Sequence, residues 1–244
     1  MVCPQKTDLS TFLVRQECIT RIAVLGTGSV GQALAGRLEE LGHDVTMGTR
    51  DPAATLERTG ADQAGAPAPA DWLRGHPGAL RTYAEVASSA ELVVVALSGS
   101  AVIAVLEQIG DDVLAGKVVV DVTNPLDFSA GFPPTLFVKD DDSLAERIQR
   151  AFPRARVVKT LNTMAAHLMV RPQQLADGDH SVFVSGDDPA AKAVVTDLLT
   201  AMGHTDVVDL GGLDTARGTE MILPVWLRLW GALGTATFNL KVVR

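Results

Sequence analysis

Three glycines in the pattern G-x-G-x-x-G, within Gly26-Thr27-Gly28-Ser29-Val30-Gly31, are the first residues of this chain whose types and spacing could do chemistry. Backbone N–H groups left free at a helix start, with the positive end of the helix dipole behind them, attract the phosphates of a dinucleotide. Gly26 permits a tight turn, Gly28 keeps a side chain clear of a pyrophosphate, and Gly31 lets helix and sheet pack closely. About 20 residues further on, a site for NAD places a carboxylate against the ribose 2′-hydroxyl; this chain has Met47-Gly48-Thr49-Arg50 instead. The permanently charged fork of Arg50 and the Thr49 hydroxyl suit a 2′-phosphate, so the pattern predicts NADP(H), bound more tightly than NAD(H). No Ser-His-Asp, H-E-x-x-H or paired-carboxylate arrangement stands out. Hydride transfer between planar rings needs orientation more than a proton relay. Leu97, Ser98, Asn124 and the segment Asn162-Thr163-Met164 are therefore candidates for holding rings and amides, with Asn162 and Met164 nearest to a catalytic role. Lys159 is either an anion ligand or a residue on the far face of its strand, and His167 reads as structural.

The elements that must position these residues alternate. The run Arg21 to Leu25 is a buried-type strand, Val30, Ala33, Leu34, Leu38 and Leu41 recur at helical spacing, and Asp44 to Met47 is a second strand. Asp51-Pro52 reads as an N-cap with proline in the first helical turn, opening a short helix through Glu57. Residues 60–70 form a loop, and 72–81 continue irregularly toward an edge strand at 80–83. Strands follow at 91–97, 117–122, 156–160, 181–185 and 206–210, with helices at 101–108, 143–152 and 190–202 and a long loop over 126–142. This order predicts an α/β, Rossmann-type, doubly wound and mostly parallel sheet. Ligands of such sheets bind outside the carboxyl ends of the strands, so the loops at Gly26, Thr49, Ser98, Thr123 and Thr160 should converge. The expected organisation is an arm at 1–20, a dinucleotide-binding domain at 21–160, and a smaller C-terminal part at 161–244 that completes the crevice.

Composition narrows the function classes. The chain has 244 residues, 47% of them hydrophobic, and a formal charge of −8, which argues against a general nucleic-acid or anionic-membrane surface. Only two cysteines occur, Cys3 and Cys18, so no disulfide framework or zinc site is encoded and a cytoplasmic location is expected. The run Met221 to Leu240 is about long enough to span a bilayer, but Arg228 at its centre would cost roughly 2.5 to 3.5 kcal/mol there. It is expected instead within a final apolar helix that starts at about Asp214, with 221–238 buried in the interface of a homodimer.

Several segments together carry a family resemblance. Val24 to Gly28 with Gly48-Thr49-Arg50, the turn Val122-Thr123-Asn124-Pro125, Val157 to Thr163, Val182 to Asp188 and Thr215 to Glu220 resemble the NADP reductases dependent on coenzyme F420, a deazaflavin. The similarity extends from about Arg21 to Arg244. It implies hydride exchange between reduced coenzyme F420 and NADP, with the deazaflavin stacked on the nicotinamide. It also implies nucleotide contacts at Thr27, Thr49 and Arg50 and a deazaflavin wall built from Asn162 to Met164 and Leu223-Pro224. An NADPH-dependent reductase of a flavin or other small acceptor, and a non-catalytic NADPH sensor, are the alternative readings.

Overall fold

The computed structural model describes residues 19–62, 65–76 and 79–244. The arm expected over 1–20, with both cysteines, lies outside the described residues except for Ile19 and Thr20. The strands are β1 (Arg21–Leu25), β2 (Asp44–Thr49), β3 (Leu80–Thr82), β4 (Leu92–Val95), β5 (Val118–Asp121), β6 (Leu126–Asp127), β7 (Thr135–Leu136), β8 (Arg156–Thr160), β9 (Ser181–Gly186) and β10 (Asp206–Gly211). The helices are α1 (Ser29–Glu40), α2 (Pro52–Leu56), α3 (Pro69–Leu73), α4 (Tyr83–Ser89), α5 (Val102–Ile109), α6 (Asp111–Leu114), α7 (Leu144–Ala151), α8 (Ala166–Val170), α9 (Pro189–Met202), α10 (Ala216–Met221) and α11 (Leu223–Leu233).

The central strands are apolar on both faces, and strand alternation divides their side chains between two cores. Ile22, Val24, Leu92, Val94, Val118, Val120 and Val158 meet α1, α8 and α9 on one face. Ala23, Leu25, Val93, Val95, Val119 and Val157 meet α4, α5, α6, α7 and α10 on the other. At roughly 1.5 to 3 kcal/mol for each large apolar side chain removed from water, these two layers dominate the stabilising side of folding.

One sheet runs in the order β10-β9-β8-β5-β4-β1-β2-β3. The six strands from β8 to β3 are parallel, as the alternating pattern predicts. The last two differ: β9 pairs antiparallel with β8, and β10 parallel with β9. Between β8 and β9 the chain forms α8, whose Leu168 and Met169 share a core with Leu34 and Leu38 of α1. The antiparallel register means that the chain re-enters the sheet from the end it left and runs backwards. Residues 161–244 thus extend the same sheet.

The long loop after β5 contains a short hairpin, β6 with β7. The single C-terminal helix expected from about Asp214 through 238 is instead two helices, α10 and α11. They meet at Ile222, and the second stops at Leu233 because Gly234 takes a left-handed φ of 66°, the usual helix terminator. The chain then turns back to β9, where Ser181 N–H donates to Leu240 O at 2.9 Å. Among the described residues, no helix is long and apolar enough to cross a membrane.

Candidate dinucleotide site

The glycine loop leaves β1 as its sequence demands. Gly26 has φ 118°, and a Cβ there would lie 2.2 Å from Ala96 O; a Cβ on Gly31 would lie 2.1 Å from Gly26 O. No larger residue fits either place. Around Gly28 the nearest atom to an added Cβ is Asp62 Oδ2, at 3.7 Å. That carboxylate accepts the first free amide of α1, Ser29 N–H, at 3.0 Å, and Ala66 N–H at 2.9 Å. Gln32 ties the loop to the same segment through Thr27 O at 3.1 Å and Pro67 O at 2.9 Å, and Arg58 Nη2 donates to Thr27 Oγ1. Sequence reading treated residues 57–68 only as a helix end and a loop; Gln32, Arg58 and Asp62 escaped it because nothing in their local pattern shows a loop folding back on the glycines.

At the end of β2, Thr49 is buried and its hydroxyl bonds that of Thr55 at 2.8 Å. Asp51 accepts Ala54 N–H at 3.1 Å and caps α2, so its carboxylate is structural. Arg50 is exposed and forms no ion pair among the described residues. Burial pushes the Tyr83 phenol up, while the positive charges of Arg50 and Arg58 pull it down, with burial prevailing.

The neighbouring strand ends line up as topology requires, in the order β8, β5, β4, β1, β2. Leu97 packs against Gly26, its Cδ2 3.6 Å from an added Cβ, and Ser98 Oγ is 3.1 Å from Ser100 Oγ. The turns after β5 and β8 are locked together: Asn124 Nδ2 donates to Asn162 O at 2.9 Å, and Asn162 Nδ2 donates to Asn124 Oδ1 at 3.0 Å and to Thr219 O at 2.9 Å. Leu161, which opens the second turn, sits at φ 60°, an uncommon conformation for a bulky residue that the surrounding core must hold in place. Thr163 and Met164 are buried, and Met164 packs in the core. Leu223 is buried while Pro224 is exposed. Pro224, Met221 and Leu227 line a cleft of about 390 Å³ facing the β6–β7 hairpin, with Lys139 and Arg228 at its polar edge. His167 bonds Thr237 of the C-terminal segment at 3.3 Å.

Lys159 serves neither of the two roles open to it from sequence. Parallel register sets it beside Asp121, and its ammonium contacts Asp121 Oδ2 at 3.0 Å, Glu220 Oε1 at 2.8 Å and Thr123 O at 2.5 Å with 1% of the side chain exposed. Burial alone would lower the Lys159 pKa, but the two facing carboxylates outweigh it and hold the ammonium above the usual lysine range. Asp121 Oδ1 accepts Thr123 N–H at 2.9 Å and its hydroxyl at 2.7 Å. Glu220 also accepts Leu144 N–H at 2.7 Å and Ala145 N–H at 3.2 Å, capping α7 from another helix. The group is a buried clamp beneath the Asn124 and Asn162 turns.

The chain that builds this site is similar to known proteins. Residues 21–125 match the family model described as "NADP oxidoreductase coenzyme F420-dependent". The F420-dependent NADP reductase of Methanothermobacter marburgensis is 30% identical over 213 residues, covering 86% of this chain and 92% of that protein. The chain belongs to this family. A crystal structure of a candidate F420-dependent NADP-reductase from Arthrobacter sp. FB24 is 60% identical, with a TM-score of 0.88 over 92% of this chain and 100% of that one. Metalloreductase STEAP3 of Rattus norvegicus is 32% identical over 214 residues, covering 84% of this chain, which spans 38% of that relative's length. As a member of the coenzyme F420-dependent NADP oxidoreductases, the chain is an NADP-linked oxidoreductase.

Proposed function

We propose that the protein exchanges a hydride between coenzyme F420 and NADP(H) at the carboxyl ends of β1, β2, β4, β5 and β8. One observation carries the nucleotide half. The first amide of α1 already holds an anionic oxygen, that of Asp62, beside an open Gly28 and an Arg50 with no ion pair among the described residues, which is a donor set suited to a pyrophosphate and a 2′-phosphate. The residues that would hold NADP(H) are Gly26 to Gly31, Thr49 and Arg50, with Leu97, Ser98 and Asn124 along its path. Asn162 to Met164 and Leu223-Pro224 would flank the second cofactor, and the neighbouring cleft is within the usual size range of ligand pockets.

When both cofactors are bound, they supply the hydride donor and acceptor between them. The chain's own work is positioning. The Asn124–Asn162 lock and the Lys159 clamp fix the two turns relative to each other, so their orientation is set before binding. With the Asn162 amide hydrogens engaged by Asn124 and Thr219, its role is to shape the turn. The exposed apolar face of α11, where Val225, Trp230 and Leu233 are joined by Phe132 edge-on to Trp230 at 5.7 Å, supports a homodimer.

The test is NADPH oxidation followed separately with oxidised coenzyme F420 and with free flavin. Turnover with the deazaflavin is expected. Turnover with flavin alone favours the second reading, a reductase of a flavin or other small acceptor, for which the similarity to a metalloreductase speaks. No turnover with either favours a sensor. Light scattering at micromolar concentration should report twice the 25.7 kDa of one chain; the single-chain mass would refute the dimer.

A further inference from the structure

We propose that Arg58, just past the end of α2, is a second guanidinium for the 2′-phosphate and sets NADP specificity together with Arg50. The inference rests on the NADP reading above. Its basis is how α2 is fastened. Asp51 caps the start of the helix, and the Thr49–Thr55 hydroxyl pair pins its middle to the end of β2. Arg58 Nε reaches Thr55 O at 3.4 Å, and its Nη2 returns to Thr27 Oγ1 on the glycine loop. The guanidinium therefore bridges the ends of adjacent strands β1 and β2, which are joined at this level by Gly26 N–H donating to Gly48 O at 3.0 Å. An adenosine ribose would have to lie across the same two strand ends.

Charge points the same way. Arg50 and Arg58 both act on Tyr83, so two like charges share one corner of a protein whose net charge is −8. The nearby carboxylates are engaged elsewhere, Asp51 on Ala54 N–H and Asp62 on Ser29 N–H. The described hydrogen bonds of Arg58 go to two neutral oxygens, and it forms no ion pair among the described residues. A guanidinium has five donors in a fork that fits a phosphate, so a phosphate dianion would both outcompete a threonine hydroxyl and relieve the repulsion between the two arginines.

The experiment measures dissociation constants of NADPH, NADH, 2′,5′-ADP and 5′-ADP for wild type, Arg58→Ala, Arg58→Lys and Arg50→Ala, without any acceptor present. Loss of one charge-assisted contact corresponds to about a 10- to 100-fold weaker constant. Arg58→Ala should show that loss for NADPH and 2′,5′-ADP and less than about a threefold change for NADH and 5′-ADP, with Arg58→Lys intermediate. Equal weakening of the phosphorylated and unphosphorylated ligands, or no weakening, overturns the role of Arg58 while wild-type preference for NADPH keeps the NADP reading. Wild type binding NADH as tightly as NADPH overturns the NADP reading and the assignment with it.

Discussion

Replacing Lys159 with methionine should be among the most damaging single changes available outside the glycine loop. The ammonium is the cation between Asp121 and Glu220, whose side chains are 0% and 2% exposed. Methionine fills much of the volume but leaves two acidic groups facing one another in the core, and it strips Thr123 O of its donor. Breaking a buried ion pair from one side costs about 3 to 5 kcal/mol, a large fraction of the roughly 5 to 15 kcal/mol that stabilises a typical protein. At about 2 to 4 °C per kcal/mol for a chain of this size, Tm should fall by around 6 to 20 °C. Differential scanning calorimetry of Lys159→Met beside the triple variant Asp121→Asn, Lys159→Met, Glu220→Gln separates charge from shape: the triple should regain part of the loss. Because folding raises the Lys159 pKa, its contribution is complete below the unfolded lysine value of about 10.4 and disappears as pH rises through the higher folded value. Wild-type stability should therefore fall on the alkaline side, and Lys159→Met should lack that portion of the slope. A Lys159→Met protein melting within about 2 °C of wild type would refute the clamp, since that shift is near 1 kcal/mol or less.

Three other outcomes are expected. Burial, opposed only in part by the bond to Met169 O, holds the His204 pKa below the usual histidine value, so stability is full above the unfolded value of about 6.5 and declines as pH falls through the folded one; denaturant titrations at pH 5 and 7.5 should show this decline in wild type and a smaller one in His204→Gln. Asp62→Asn removes a negative charge from the amide that a pyrophosphate needs and should tighten NADPH binding several-fold, given helix-terminus effects of about 0.3 to 2 kcal/mol; weaker binding by calorimetry would contradict the competition. Asn162→Ala leaves Thr219 O and Asn124 Oδ1 without their donor and should destabilise the chain by about 1 to 3 kcal/mol in urea unfolding, whereas an unchanged midpoint would show that the lock contributes nothing.

Local pattern and long-range contact differ in what they reveal. The passage from β1 through the glycine loop and α1 to β2 was legible because strand, turn and helix each carry their own periodicity, and the two-core alternation of β1, β4 and β5 follows from apolar runs alone. Helix α4 was missed although Thr82 and Glu85 form the capping box that announces it; its apolar content is too slight to stand out. The reversal at β9 is invisible locally, because the apolar run Ser181 to Gly186 reads the same whichever way the strand pairs. Likewise Asp121 and Lys159 occupy equivalent positions in two buried strands, a pairing that neighbouring register could have suggested, but Glu220 lies far along the chain and no spacing rule connects it to them. The Asn124 and Asn162 turns were singled out correctly as a pair of neighbouring strand ends, while their mutual lock required coordinates.

The outermost strand β10 bears on how copies of this protein meet. An edge strand presents unpaired backbone groups that invite a second sheet and lead to aggregation. Here two aspartates interrupt that edge and are themselves dressed with cations: Asp206 binds Lys241 and Arg244, and Asp209 binds Lys192. The opposite edge, β3, is only three residues long. Charge guards one margin and brevity the other, so sheet-to-sheet stacking into fibres is disfavoured at both edges.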